Sequence, residues 1–162
     1  MITLGRLKEV LTYHHDTGQF TRNREFGGWA AGEVAGCVKP DGYRWIVIDK
    51  IQYTASRLAW FNCHGVWPKH HMDHKNNNRD DNRIENLREC NPSENLANQR
   101  LSSRNRSGFK GVSWDKDSEN WYASIKVMGK GKNLGHYNDP EDAHAAYCKA
   151  AKKYFGEFAK TE

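Results

Sequence analysis

The sequence predicts an α+β fold in two parts, and three observations predict it. Residues 3–68 combine short helices bearing an apolar stripe with β-rich runs. Residues 70–95, "HHMDHKNNNRDDNRIENLRECNPSEN", hold three histidines and seven asparagines around almost no apolar residue. That run cannot be a core strand or a core helix. Residues 107–156 then carry three short β-rich runs and a long amphipathic helix, the pattern of a small antiparallel sheet packed on one helix.

The elements follow in order. Thr3 caps a helix over residues 3–11, where Leu4, Leu7, Val10 and Leu11 make one stripe. "DTG" at 16–18 is a turn. "GYRWIVIDKIQYTASRLAWFNCHGVWP" (42–68) reads as two strands around Asp49-Lys50 and a helix from about Ala55 that Gly65 and Pro68 stop. After the polar run, "NPSENLANQRL" is a helix with Asn91 as cap, Pro92 at its first position and Glu94 completing a capping box. "SSRNRSGFKG" is a linker by composition. In the last part Trp121, Ala123, Ile125 and Val127 alternate with Tyr122, Ser124, Lys126 and Met128, so one face of that strand is apolar. Asp139 caps the final helix, whose stripe is Ala143, Ala146, Tyr147, Ala150, Ala151 and Tyr154. The second face of the sheet is left open for a partner.

Composition narrows the function. The chain has 162 residues, a formal charge of +5, six Trp, seven Tyr and six Phe. Basic and aromatic together suggest a nucleic-acid partner. No run approaches the roughly 20 apolar residues of a membrane span, and the start lacks the apolar block of a signal peptide. The expected compartment is the cytoplasm. Cysteines at 37, 63, 90 and 148 are scattered, which argues against a zinc module or a disulfide framework; each reads as a small buried hydrophobe.

The polar run has two readings, a long solvated loop or a set of groups held for chemistry. Phosphodiester hydrolysis needs a cation at the scissile phosphate and a base for the attacking water. Asp73 suits the cation, and neutral His74, with an ordinary pKa near 6.5, suits the base. Asn86 offers an amide oxygen to the imidazole N–H, and Asn95 a second oxygen to the cation. Asn76, Asn77 and Asn78 read as turn residues. His70 and His71 read as solvated neighbours.

His74, Asn86 and Asn95, with "DH" in front and "NRIENLREC" between, resemble the His-Asn-His (HNH) endonucleases in the His-Asn-Asn version found in phage homing enzymes. That likeness runs along most of residues 1–101. Residues 107–156 resemble the plant Apetala-2 (ethylene-response-factor) type DNA-binding domain. The resemblance implies a ββα-metal nuclease domain over 1–101, a basic linker over 102–108 and an Apetala-2 type domain over 109–162. It makes His74 the general base, Asn86 its orienting residue, and Asp73 and Asn95 the ligands of one divalent cation. Oxygen ligation favours Mg²⁺, with Mn²⁺ as the other candidate. The implied activity is site-specific, metal-dependent cleavage of double-stranded DNA, nicking one strand to leave 5′-phosphate and 3′-hydroxyl ends. Expected DNA contacts are Arg100, Arg104, Arg106 and Lys110 in the basic stretch, and Ser113, Ser124, Lys126 and Lys132 on the sheet. No obligate protein partner is implied. The rival is a DNA-binding regulator whose nuclease half is an inactive scaffold.

Overall fold

The computed structural model describes residues 1–25, 27–103 and 105–161. Its contacts divide the chain into two compact units, Met1–Glu89 and Cys90–Glu162. The division falls earlier than the boundary expected after residue 101, so the helix of "NPSENLAN" clusters with the carboxy-terminal unit. No helix among the described residues is long and apolar enough to cross a membrane.

In the amino-terminal unit α1 spans Leu4–Val10, and Thr3 Oγ1 accepts from the Arg6 N–H as its cap. Leu11 ends the helix and opens β1 (Leu11–His14), which pairs antiparallel with β2 (Gln19–Arg22) across the "DTG" turn. The strand over Leu11–His14 is absent from the sequence reading. Its four residues alternate buried and exposed, too short a run to separate from the helical stripe before it. Next come β3 (Cys37–Val38), β4 (Arg44–Ile48) and β5 (Ile51–Thr54), an antiparallel sheet in the order β3-β4-β5. Asp49 and Lys50 both take positive φ, as the tight turn between β4 and β5 requires. Helix α2 (Ala55–His64) ends on Gly65 in the left-handed region. The chain then forms β6 (His71–His74), a long loop with a 3₁₀ turn at Ile84–Asn86, and β7 (Leu87–Cys90), paired with β6. Leu7, Phe20, Ile46 and Leu58 are fully buried and bring α1, β2, β4 and α2 onto one core. Cys37 departs from expectation: it is exposed on a two-residue edge strand.

The carboxy-terminal unit starts with α3 (Pro92–Asn98), and its capping box is complete: Asn91 Oδ1 accepts from Ser93 and Glu94 N–H, and Glu94 Oε2 accepts from Asn91 N–H. Strands β8 (Val112–Asp115), β9 (Asn120–Val127) and β10 (Lys130–Tyr137) form an antiparallel sheet in the order β10-β9-β8, with α4 (Pro140–Phe155) packed on one face. Val112, Ala123 and Ile125 meet Ala143, Tyr147 and Ala151 there. Phe155, not Tyr154, completes the buried stripe. It repeats Ala151 at a spacing of four, whereas Tyr154 is 41% exposed with Lys132 and Lys153 over its ring. Within the stretch read as a linker, residues 105–109 form a hydrogen-bonded turn: Ser107 Oγ lies within hydrogen-bond distance of Asn105 Oδ1 and the Phe109 and Val112 carbonyls, and Asn105 Oδ1 accepts from Gly108 N–H.

One glycine decides where the β1–β2 turn can sit. Gly18 has φ +71°, and a Cβ there would fall 2.3 Å from the Arg83 nitrogen and 2.4 Å from the Asn82 carbonyl carbon. The hairpin turn therefore rests directly on the loop between β6 and β7. Gly18→Ala should cost at least about 1–3 kcal/mol in unfolding free energy, read from urea denaturation of the purified chain.

Candidate functional site

The site is a cluster of buried polar side chains on β6, β7 and the loop between them. β6 brings Asp73 and His74 inside, although adjacent strand residues usually face opposite ways; both are buried, His74 at 3% exposure. Desolvating two such groups is expensive unless each is hydrogen-bonded, and both are. Arg88 on β7 donates Nε–H to Asp73 Oδ2 at 2.8 Å, an ion pair that is itself nearly buried. His74 Nε2 lies 3.2 Å from Asn82 Oδ1. The Asn82 amide nitrogen donates to the Asp80 carbonyl, so its oxygen is the atom turned to the ring. The imidazole then carries its proton on Nε2 and its basic lone pair on Nδ1. Asn82, at 1% exposure, also has its carbonyl held by the Tyr13 hydroxyl at 2.8 Å, from the hairpin that Gly18 seats.

Asn86 was expected on the imidazole, and the structure corrects its role. Its side chain knits the loop instead: Oδ1 accepts from Asn76 N–H at 3.1 Å and Nδ2 donates to the Asp81 carbonyl at 2.8 Å. Its carbonyl accepts from Lys75 N–H. The 3₁₀ turn aims this amide along the loop, while Asn82 is the residue that reaches the ring. Asn76, Asn77 and Asn78 are turn residues as expected, with Asn77 at φ 61° and the Asn76 and Asn78 side chains accepting from backbone two residues on. Arg83 forks Asp81 and holds its carboxyl down at about 2.

Asn95 stands on α3 in the carboxy-terminal unit, half-buried. Among the described residues no group of three or more His, Cys, Asp or Glu is assembled for a metal. A cation here would thus rest on one carboxylate, Asp73, and on amide, water or phosphate oxygens. That donor set fits Mg²⁺, which keeps several waters and takes one or two carboxylates plus substrate phosphate.

The expected DNA contacts fall into three groups. Arg106 and Ser113 are exposed, and Ser113 pairs with Tyr122 on the sheet face away from α4, the face that Ser124 and Lys126 share. Arg100 and Lys126 line one cleft of about 280 Å³ with Leu96 and Ser124. Lys110 and Lys132 are placed differently. Lys110 Nζ donates to the carbonyls of Ala97, Gln99 and Lys160, which tie it into the unit, and burial pushes its pKa down to about 8. Lys132 pairs with Ile125, which puts it on the α4 side over the Tyr154 ring. Arg104 lies outside the described residues. Trp114 is exposed, edge-on to the half-buried Trp121.

Sequence reasoning missed Asn82, Arg88 and Tyr43, whose ring centroid is 5.8 Å from that of His74. "DDNR" and "NLR" contain the first two, but nothing in a polar run tells a buried asparagine from a solvated one.

Burial lowers the pKa of His74; Asn82, Asp73 and Asp81 oppose the shift and Arg79 adds to it. The folded chain therefore binds fewer protons here than the unfolded chain does just below about pH 6.5. The His74 contribution to stability should be complete above that value and decline as the pH falls below it. Urea unfolding at about pH 7.5 and about pH 5.5 checks this; the loss on acidification should shrink in His74→Gln.

Two comparisons with known proteins bear on this cluster. The HNH endonuclease family model matches residues 53–97, from β5 through α2 and the β6–β7 loop into α3. Protein 3.8 of Escherichia phage T7 is 31% identical over 103 residues, which cover 63% of this chain and 84% of the phage protein. With that identity over most of the relative's length, the chain belongs to the family of phage T7 Protein 3.8, and it carries an HNH endonuclease domain at residues 53–97.

Proposed function

We propose that the chain is a metal-dependent, site-specific DNA endonuclease that hydrolyses one strand of a duplex, leaving 5′-phosphate and 3′-hydroxyl ends. One observation supports this reading above the others. Within the segment matched by the HNH family, a buried imidazole has its Nε2–H engaged by Asn82 beside a buried carboxylate. His74 takes a proton from the attacking water, and its lowered pKa keeps it in the base form at neutral pH. Asn82 holds the tautomer and the ring plane. Asn86 acts one step further out by keeping the loop that carries Asn82 closed. By the sequence pattern, Asp73 and Asn95 are the residues that would hold a divalent cation, Mg²⁺ or Mn²⁺. That cation, when bound, supplies positive charge to the scissile phosphate and the departing oxygen. Arg88 orients the Asp73 carboxylate.

His74→Ala should lower the rate of plasmid nicking by roughly 10²–10⁴ while DNA affinity stays near that of the wild type. EDTA should stop cutting by the wild type. A His74→Ala chain that cuts at the wild-type rate would remove His74 from the mechanism. A chain that binds duplex and never cuts, with Mg²⁺ or Mn²⁺ present, would favour the inactive-scaffold reading.

The carboxy-terminal unit is proposed to anchor the protein on DNA in the manner of the Apetala-2 type domain. Its sheet has three strands with one helix on one face, and Ser113, Ser124 and Lys126 lie on the other. Arg100 adds charge beside Lys126, and Arg106 extends it. Lys126→Ala should weaken duplex binding and, if the contact is to phosphate, lower the slope of log affinity against log salt by about 1. Fluorescence anisotropy across a salt series measures both. An unchanged affinity and slope would remove Lys126 from the interface.

A further inference from the structure

We propose that Arg79 grips a backbone phosphate of the DNA strand bound at His74, using the Nε–Nη2 edge of its guanidinium. The proposal rests on the endonuclease reading above and adds to it a substrate-holding residue.

Four arginines of the amino-terminal unit show the contrast. Arg6 spends its Nε and Nη2 on Asp49 at 3.0 and 2.8 Å, and Arg44 spends the same pair on Asp80 at 2.8 and 2.9 Å. Arg83 does likewise with Asp81 at 2.8 and 2.7 Å. Arg79 is the one of these four whose Nε–Nη2 edge carries no carboxylate, while its Nη1 donates to the Asp41 carbonyl at 2.7 Å. Among the described residues its Nε and Nη2 meet no hydrogen-bond acceptor, and its side chain is exposed. That edge presents two parallel donors, the geometry that a phosphate or carboxylate accepts bidentately.

The fork is held still. The guanidinium lies 4.9 Å from the centre of the Tyr43 ring, and Tyr43 in turn packs against His74. Gly42, at φ +85°, lets the turn pass beneath: a Cβ there would lie 3.5 Å from Arg79 Cδ. The next residue, Asp80, is clamped by Arg44, so the backbone at Arg79 cannot drift. Nearby carboxylates are already engaged. Asp41 Oδ1 accepts from Tyr43 N–H, Asp80 is held by Arg44, and Asp81 by Arg83. The edge is therefore open to an acceptor from outside the unit, and its place one ring away from the proposed general base points to a phosphate of the strand being cut.

The test uses the full chain, supercoiled plasmid for cutting, and a fluorescein-labelled mixed-sequence duplex for binding. Arg79→Ala should lower kcat/KM for nicking by roughly 10²-fold. In the His74→Ala background, with Mg²⁺ present, it should reduce the salt slope of duplex binding by about 1. Arg79→Lys should restore only part of the rate, because an ammonium cannot fork. Tyr43→Leu should move rate and slope in the same direction by less. Wild-type rate and slope in Arg79→Ala would overturn the proposal. Full rescue by lysine would overturn the fork, and a lost rate with an unchanged slope and a lowered melting temperature would make Arg79 a structural residue. A wild-type chain that binds DNA but cuts none under any metal would refute the endonuclease reading itself. In that case the salt slope of Arg79→Ala still judges the phosphate contact.

Discussion

An aspartate and a histidine buried side by side in a small unit cost several kcal/mol per charged group unless each finds a partner of matching geometry. The β6–β7 loop is organised by that constraint. Arg88 answers Asp73 from the neighbouring strand, and Asn82 answers His74 from within the loop. Asn82 can do so only because its own amide nitrogen and carbonyl are tied to Asp80 and Tyr13. Removing one partner strands a buried polar group, so the cluster is held as a unit or not at all.

The loop meets its obligations with asparagines and arginines in place of apolar residues. Asn86 ties the loop's two ends, while Asn76 and Asn78 close local turns on backbone N–H groups. Arg44 and Arg83 fork successive carboxylates and fix the chain between them. Rigidity achieved this way leaves polar atoms at the surface in set directions, which suits the recognition of an anionic polymer. The hydrophobic core contributes by seating the hairpin of β1 and β2, whose Gly18 turn abuts Asn82 and Arg83.

The carboxy-terminal unit divides its basic residues by strand parity and by burial. Lys126 follows Ile125 on β9 and so faces away from α4, whereas Lys132, cross-strand from Ile125, faces the helix side. Lys110 is spent on the carbonyls of Ala97, Gln99 and Lys160. Of these three lysines, Lys126 is the one turned away from both α4 and the carbonyls that hold Lys110.

Local rules determined much of this protein from sequence alone. The caps at Thr3, Asn91 and Asp139, the turn at Asp49-Lys50, the Gly65 stop and the alternation through Trp121–Val127 depend on neighbours within a few residues, and each appears in the structure. Asp73 and His74 drew notice through their resemblance to a known pattern of residues, and both are buried in the structure. Contacts between residues distant in the chain had no such signal. That Asn82 and not Asn86 reaches the imidazole, that Arg88 meets Asp73, and that Tyr43 carries Arg79 beside His74 are results of tertiary packing. Periodicity in sequence reports which face is apolar. It says nothing of which asparagine in a run of seven is sealed from water, because burial of a polar side chain is decided by what folds over it.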